Sequence, residues 1–110
     1  MAKSNRFTVK WASIARADLS AIIEHVAQDD RAAALSVLTR IERAASALVR
    51  MPLRGRIVPE LAAIDIRTYG EIIVSPWRIV YRVSGNTVFV LAVVDGRRNV
   101  EDLLLERFLR

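Results

Sequence analysis

Apolar and polar residues alternate at some positions of this chain and follow a helical spacing at others. Alternation over residues 6–11 predicts a short first strand. Apolar residues then recur every three or four positions, which predicts a helix over about 13 to 28 with Ser13 as its N-cap. The Asp29-Asp30 pair interrupts this pattern and starts a second helix, which ends before Pro52. So short a connection predicts an antiparallel helical hairpin.

The second half of the chain predicts three antiparallel strands and a final helix. The strands are expected over about 66–74, 77–83 and 87–95. The last strand is apolar on both faces, so we expect it near the centre of the sheet. Asn99 is predicted to cap the final helix, which carries acidic residues in its first turn and Arg107 and Arg110 at its end.

Residues 51–65 contain two prolines and a glycine without a regular period, and we interpret them as an irregular connection within one domain, residues 1–110. The predicted fold is therefore of the α+β class. It consists of an N-terminal strand, a two-helix hairpin, a three-stranded antiparallel meander and a C-terminal helix, with the helices on one face of the sheet.

Charge and composition suggest an acidic partner. Hydrophobic residues make up 53% of the chain. The chain has 17 basic and 12 acidic residues, which gives a net charge of +5. Such a balance favours a nucleic acid or an acidic protein as partner, although it is also typical of an ordinary charged surface. The longest apolar run, Val88–Val94, is far shorter than the roughly 20 residues of a membrane span. No apolar stretch of an export signal follows residues 1–6, so we expect a cytoplasmic protein without a membrane partner.

Signatures of most enzyme classes are missing. The chain has no cysteine, its single histidine is His25, and no residues stand at metal-ligand spacing, so we expect no metal ion and no cofactor. A glycine-rich phosphate loop is also missing. Glu60, Asp65 and Glu71 lie near one another in sequence, and we interpret them as solvated charges.

Arginines on the predicted strands and turns are the remaining candidates for a binding site. We expect them to gather on the sheet face away from the helices, where guanidinium groups bind phosphates or carboxylates. Strand alternation places Arg78 on that face with its guanidinium available to a target. The alternative is that these arginines pair with acids such as Glu71 or Asp95. The candidate target-binding residues are Arg67, Arg78, Arg82, Arg97 and Arg98.

The C-terminal helix has more apolar residues between Val100 and Leu109 than one helical stripe needs. Either this helix is buried on two sides or part of it binds a partner. In the second case the candidate contacts are Leu103, Leu104 and Phe108.

Three blocks of sequence resemble, in order, the RelE/ParE superfamily of bacterial type II toxins. They are MPLRGRIVPEL at 51–61, PWRIVYRV at 76–83 and VLAVVDGRR at 90–98. The resemblance covers nearly the whole chain from Trp11 onward. It implies the fold described above, an acidic cognate antitoxin that neutralises the toxin, and a higher-order toxin–antitoxin complex on operator DNA.

The superfamily implies two activities. RelE-like members cut messenger RNA on the ribosome with a set of lysines, arginines and a late tyrosine, whereas ParE-like members poison DNA gyrase and are not nucleases. Arg78 and Arg97 match the arginine positions. Tyr69 and Glu71 occupy the lysine positions and Leu103 occupies the tyrosine position, so the acid/base set that activates the 2′-hydroxyl is depleted.

We therefore favour a ParE-like gyrase poison that has no catalytic residues. One alternative is a RelE-like endoribonuclease acting on the ribosome and messenger RNA, with Arg78, Arg97 and Tyr69 as its catalytic residues. Another is a non-toxic nucleic-acid-binding relative with the same fold.

Overall fold

The computed structural model of the chain describes residues 6–109. Met1–Asn5, considered above for an export signal, and Arg110, predicted at the end of the last helix, lie outside the described residues. The elements are β1 (Thr8–Trp11), α1 (Ser13–Asp29), α2 (Arg31–Ser46), β2 (Arg56–Ile57), α3 (Pro59–Ala62), β3 (Tyr69–Val74), β4 (Trp77–Ser84), β5 (Thr87–Asp95) and α4 (Val100–Phe108). Within this part of the chain, no helix is long and apolar enough to cross a bilayer.

One five-stranded sheet has the order β1-β5-β4-β3-β2. β1 pairs with β5 in parallel, and all other neighbours are antiparallel. This arrangement confirms the predicted α+β architecture, including the three-stranded meander. It also confirms the inner position of β5, whose two apolar faces are both covered.

α1 and α2 form the predicted hairpin and are joined through Asp30 alone. The Asp30 carboxylate accepts a hydrogen bond of 3.0 Å from the Ala33 N–H, so this side chain caps α2. The predicted cap of α1 at Ser13 is wrong, because Ala12 occupies the capping position without a side-chain hydrogen bond. The Ala12 N–H still donates to the Val90 carbonyl at 2.9 Å, so β1 leads directly into the helix.

Hydrophobic clusters cover both faces of the sheet, so the prediction that all helices lie on one face is wrong. One cluster packs α1 and α2 against the sheet and includes Ile41 and Ile79. The other packs α3 and α4 against the opposite face and includes Leu61, Val80 and Leu104. Ile79 and Val80 are neighbours on β4 and both are fully buried, because alternate strand residues point to opposite faces.

A β-bulge in β5 adjusts its side chains to these two clusters. The register between β4 and β5 shifts between Val80 and Tyr81, which leaves Leu91 as an extra residue. Val90 and Val93 consequently belong to the same hydrophobic cluster although they are three positions apart.

Residues 51–65 are more regular than predicted, because they contain β2 and α3. Val58 and Leu61 anchor this segment and are fully buried. Gly55 lies where the segment crosses the sheet, and its N–H donates to the Tyr81 hydroxyl at 3.0 Å. A Cβ atom on Gly55 would overlap the Glu71 carbonyl and lie 2.7 Å from the Tyr81 hydroxyl oxygen. The crossing therefore requires a glycine.

Candidate functional site

Four charged side chains form a connected network on the sheet face that α3 and α4 cover. Glu71 lies at the centre with no exposed side-chain surface. Its Oε1 accepts a hydrogen bond of 2.6 Å from Arg78 Nε, and its Oε2 accepts one of 2.7 Å from Arg56 Nε. The two terminal nitrogens of Arg78 donate to both oxygens of Glu60, at 2.9 and 2.6 Å. We call these four residues the buried arginine network, in which two positive charges balance two negative ones.

Strand register and a short helix bring the buried arginine network together. In β3 and β4, Glu71 pairs with Val80 and Ile73 pairs with Arg78, so Glu71 and Arg78 are diagonal neighbours on one face. α3 places Glu60 above the same face. Hydrogen bonding from Arg78 lowers the pKa of the Glu60 carboxyl, and the Glu60 and Glu71 carboxylates raise the pKa of Arg78. Glu60 and Arg78 are therefore both charged near neutral pH.

Arg78 does not present its guanidinium to solvent, so the prediction that it is available to a target is wrong. The residue is 7% exposed, and all three guanidinium nitrogens donate to carboxylates. The structure instead shows the alternative that the sequence suggested, a pair with Glu71. The interpretation of Glu60 and Glu71 as solvated charges is also wrong, because both carboxylates form ion pairs with Arg78.

A second arginine–carboxylate pair, Arg97 with Asp95, lies in the turn between β5 and α4. Arg97 Nε and Nη2 donate to the two Asp95 oxygens at 3.0 and 2.8 Å, and the Arg97 N–H adds a third bond of 2.9 Å. The Arg97 side chain is 73% exposed. These hydrogen bonds lower the pKa of Asp95 to about 2.

The remaining predicted arginines do not form one basic face. Arg82 pairs in register with Tyr69 near one end of β4, whereas Asp95, which precedes Arg97 and Arg98, pairs with Trp77 at the other end. Five residue steps separate these ends, or about 17 Å at a strand rise of roughly 3.4 Å per residue. Arg67 lies before β3 and is exposed, as are Arg82, Arg97 and Arg98.

Tyr69 and Tyr81 line a cleft of about 380 Å³ together with Arg56 and Arg67. The Tyr69 ring stacks on Phe108 of α4, with a centroid distance of 4.7 Å and an interplanar angle of 5°. Burial raises the pKa of the Tyr81 phenol. Tyr81 is therefore less suited than an ordinary tyrosine to act as a general base.

α4 packs on the sheet through one apolar cluster and forms an ion pair with α1. Leu104 is fully buried in the cluster beneath the helix, so its prediction as an antitoxin contact is wrong. Phe108 packs against the same cluster. The helix is also tied to α1, because the Arg107 guanidinium donates to both Asp18 oxygens at 2.6 and 3.1 Å. Leu103 is half-buried.

His25 is exposed on α1, as expected for a helix-surface residue. Within residues 6–109, no three side chains of the types that bind metal ions come together.

The chain is similar to known toxins over most of its length. A family model described as the ParE toxin of the type II toxin–antitoxin system parDE matches residues 9–100. Toxin ParE3 of Caulobacter vibrioides is 32% identical over 84 residues, which cover 76% of this chain and 80% of that protein.

Two solved structures share the fold. A chain of the chromosomal ParDE toxin–antitoxin system from P. aeruginosa has a TM-score of 0.68 and 23% identity, covering 84% of this chain and 98% of that chain. A chain of the toxin–antitoxin complex RelBE2 from Mycobacterium tuberculosis has a TM-score of 0.56 and 24% identity, covering 84% and 94%. The family match includes the helical hairpin, the buried arginine network and the Asp95 turn, so the chain belongs to the ParE toxin family of type II toxin–antitoxin systems.

Proposed function

We propose that this ParE-family toxin inhibits growth by poisoning DNA gyrase and that an acidic cognate antitoxin neutralises it. The observation that supports a gyrase target over RNA cleavage is the chemistry of Tyr69 and Glu71. By the sequence resemblance, these two residues occupy positions where RelE-like toxins have lysines. A transition state for RNA cleavage needs positive charge near the phosphorane. Tyr69 has no cationic group and is stacked on Phe108, and the Glu71 carboxylate is buried between two arginines.

The exposed arginines are the proposed contacts with the target. Arg67, Arg82, Arg97 and Arg98 keep this role, because each reaches solvent. Arg82 is the clearest candidate, since its guanidinium makes no hydrogen bond or ion pair within the described residues. Arg78 holds α3 on the sheet and acts as a positioning residue.

Two assays with purified toxin test the target. We expect inhibition of gyrase supercoiling or accumulation of cleaved DNA, while messenger RNA on ribosomes stays intact. Cleavage of ribosome-bound messenger RNA that disappears in Tyr69→Phe, with normal supercoiling, would instead establish the RelE-like alternative. Failure of the chain to stop growth when it is expressed alone would indicate the non-toxic relative.

Arg82→Ala tests the proposed contact surface. Loss of a charge-assisted contact typically costs about 1.5 to 3 kcal/mol, so the toxin concentration for half-inhibition should rise by at least about tenfold. Arg40→Ala is the matched control, because Arg40 is also exposed but lies on α2. Equal effects of the two variants would show that only total charge matters, and the proposed contact would be wrong.

An acidic antitoxin fits the segment that leads from α2 to β2. Met51, Leu53 and Ile57 are large apolar residues with 51%, 83% and 47% of their surface exposed. Exposed arginines, Arg50 and Arg54 among them, alternate with these residues. Apolar residues between basic ones suit an acidic segment that orders on binding. The two structural relatives, which come from toxin–antitoxin systems, also support an antitoxin partner.

Co-purification with the product of the adjacent gene tests this partner. We expect a complex that survives gel filtration and that Leu53→Asp weakens, because the new carboxylate repels an acidic segment. Thr39→Asp adds the same charge to the exposed side of α2 and serves as the control. Separate migration of the two proteins at micromolar concentration would contradict the proposal.

A further inference from the structure

A cleft between α1 and the turn after β5 lies apart from the buried arginine network. Its volume of about 420 Å³ is within the range of small-molecule sites, roughly 300 to 1,000 Å³. α1 supplies one wall, with apolar side chains and His25. Trp77 and the turn residues Asp95, Arg97 and Arg98 supply the opposite wall. The cleft thus combines an aromatic ring, apolar surface and cationic groups.

One positive charge in this cleft is left over. Arg97 and Asp95 neutralise each other through their paired hydrogen bonds. Arg98 is exposed, and its guanidinium makes no hydrogen bond or ion pair within residues 6–109. Its backbone is nevertheless fixed, because the Arg98 N–H donates to the Asp95 carbonyl at 3.1 Å. Although its charge also acts on Asp95, a guanidinium with no hydrogen-bonded partner on an ordered turn suits a phosphate group.

The aromatic wall adds selectivity for a ring. Trp77 packs against the hydrophobic cluster under α1 and α2, which holds the indole in place. The same residue lines the cleft, where a planar base can stack on it. His25 on α1 also lines the cleft, where an imidazole nitrogen can donate or accept a hydrogen bond.

We propose that this cleft binds a nucleoside monophosphate group, either as a free nucleotide or at the end of a nucleic-acid strand. The base lies against Trp77 and the phosphate is bound by Arg98, while His25 contacts the sugar or the base. This site goes beyond the proposed function and does not depend on gyrase as the target.

Tryptophan fluorescence tests the site directly. The chain has two tryptophans, so Trp11→Phe leaves Trp77 as the single reporter in the full-length protein. Adenosine 5′-monophosphate should quench this fluorescence saturably. Arg98→Ala in the same background should raise the Kd at least about tenfold, as expected for the loss of one charge-assisted contact. Arg40→Ala removes an exposed charge from α2 and should leave the Kd unchanged. Thermal melting confirms that each variant is folded.

Further ligands show how much the base and the phosphate each contribute to binding, and whether the ligand is a free nucleotide or a strand end. Adenosine and inorganic phosphate should each bind more weakly than the nucleotide, since each offers half of the proposed contacts. A 5′-phosphorylated oligodeoxyadenylate that binds more tightly than the nucleotide identifies a strand end, and one that binds more weakly identifies a free nucleotide. Equal binding of inorganic phosphate and the nucleotide would overturn the proposal, as would an unchanged Kd in Arg98→Ala or no quenching at all.

Discussion

Arg78 and Arg97 both bind carboxylates, but their surroundings are opposite. The Arg78 side chain is 9% exposed and links β3, β4 and α3 through Glu71 and Glu60. The Arg97 side chain is 73% exposed and binds Asp95 within its own turn. Removing one partner from a buried ion pair leaves an uncompensated charge in a poorly solvated place, whereas water replaces the lost partner of an exposed pair. The arginine–carboxylate pair therefore stabilises the fold at Arg78, whereas at Arg97 it lies on the surface.

The largest effect is expected for Arg78→Ala. The substitution leaves Glu71 buried without its main counter-charge, and loss of one partner of such a pair typically costs about 3 to 5 kcal/mol. Urea unfolding followed by circular dichroism measures the loss. The combined variant Glu71→Leu with Arg78→Met removes both charges and should recover much of it. Unchanged stability together with lost toxicity in Arg78→Ala would show that Arg78 contacts the target after all.

Tyr81→Phe should have a smaller effect on the same region. It removes the acceptor of the Gly55 N–H, and one such hydrogen bond is worth about 1 kcal/mol. The segment that carries Arg56 and Glu60 should loosen, which faster amide hydrogen exchange over residues 54–58 would show. Tyr69→Phe is the matched control, because no hydrogen bond of its hydroxyl occurs within residues 6–109. Equal losses of stability in both variants would contradict this explanation.

Acid should weaken both arginine sites. Glu60 and Asp95 have lowered pKa values in the folded protein, so their contributions are complete above the ordinary values of 4.5 and 3.8 and disappear as the pH falls through the lowered ones. For Asp95 this window runs from about 4 down to about 2. Unfolding free energies of Glu60→Gln, Asp95→Asn and the unchanged protein, measured at several pH values, should show a loss of pH dependence in both variants. Unchanged pH dependence in either variant would contradict this explanation.

The smallest effect on stability is expected for Arg97→Ala. Its side chain is largely in water, so the unfolding midpoint should fall much less than in Arg78→Ala. The pKa of Asp95 should rise from about 2 toward its ordinary value of 3.8, which an NMR titration of the carboxyl carbon would report. A drop in the unfolding midpoint as large as that of Arg78→Ala would mean that the turn needs the Arg97–Asp95 pair to fold.

Most of the fold could be predicted from the spacing of apolar residues. α1, α2, β4, β5 and α4 are each long enough to show a period. Asn99 caps α4 as predicted, and α2 starts at the predicted Asp29-Asp30 pair, where Asp30 is its cap. β2 and α3 were missed because elements of two and four residues show no period. Helix coverage on both sides was also missed, although the two apolar faces of β5 were a signal for it.

The candidate site could be predicted only in part. The register that follows from the turn between β3 and β4 makes Glu71 and Arg78 neighbours, so their pairing could be named as an alternative in advance. Glu60 could not be assigned, because its contact with Arg78 depends on where α3 docks.

Residue types and their local order were sufficient to specify strands, helices, caps and the family. Which arginine is buried was decided by the tertiary structure, because burial depends on what covers a position and not on its neighbours in sequence. α3 covers Arg78 and brings the Glu60 carboxylate to it. Arg97 lies in a turn where most of its side chain is exposed to water. An arginine side chain is the same in both places, and the surrounding dielectric and partner charges determine whether it stabilises the fold or reaches solvent.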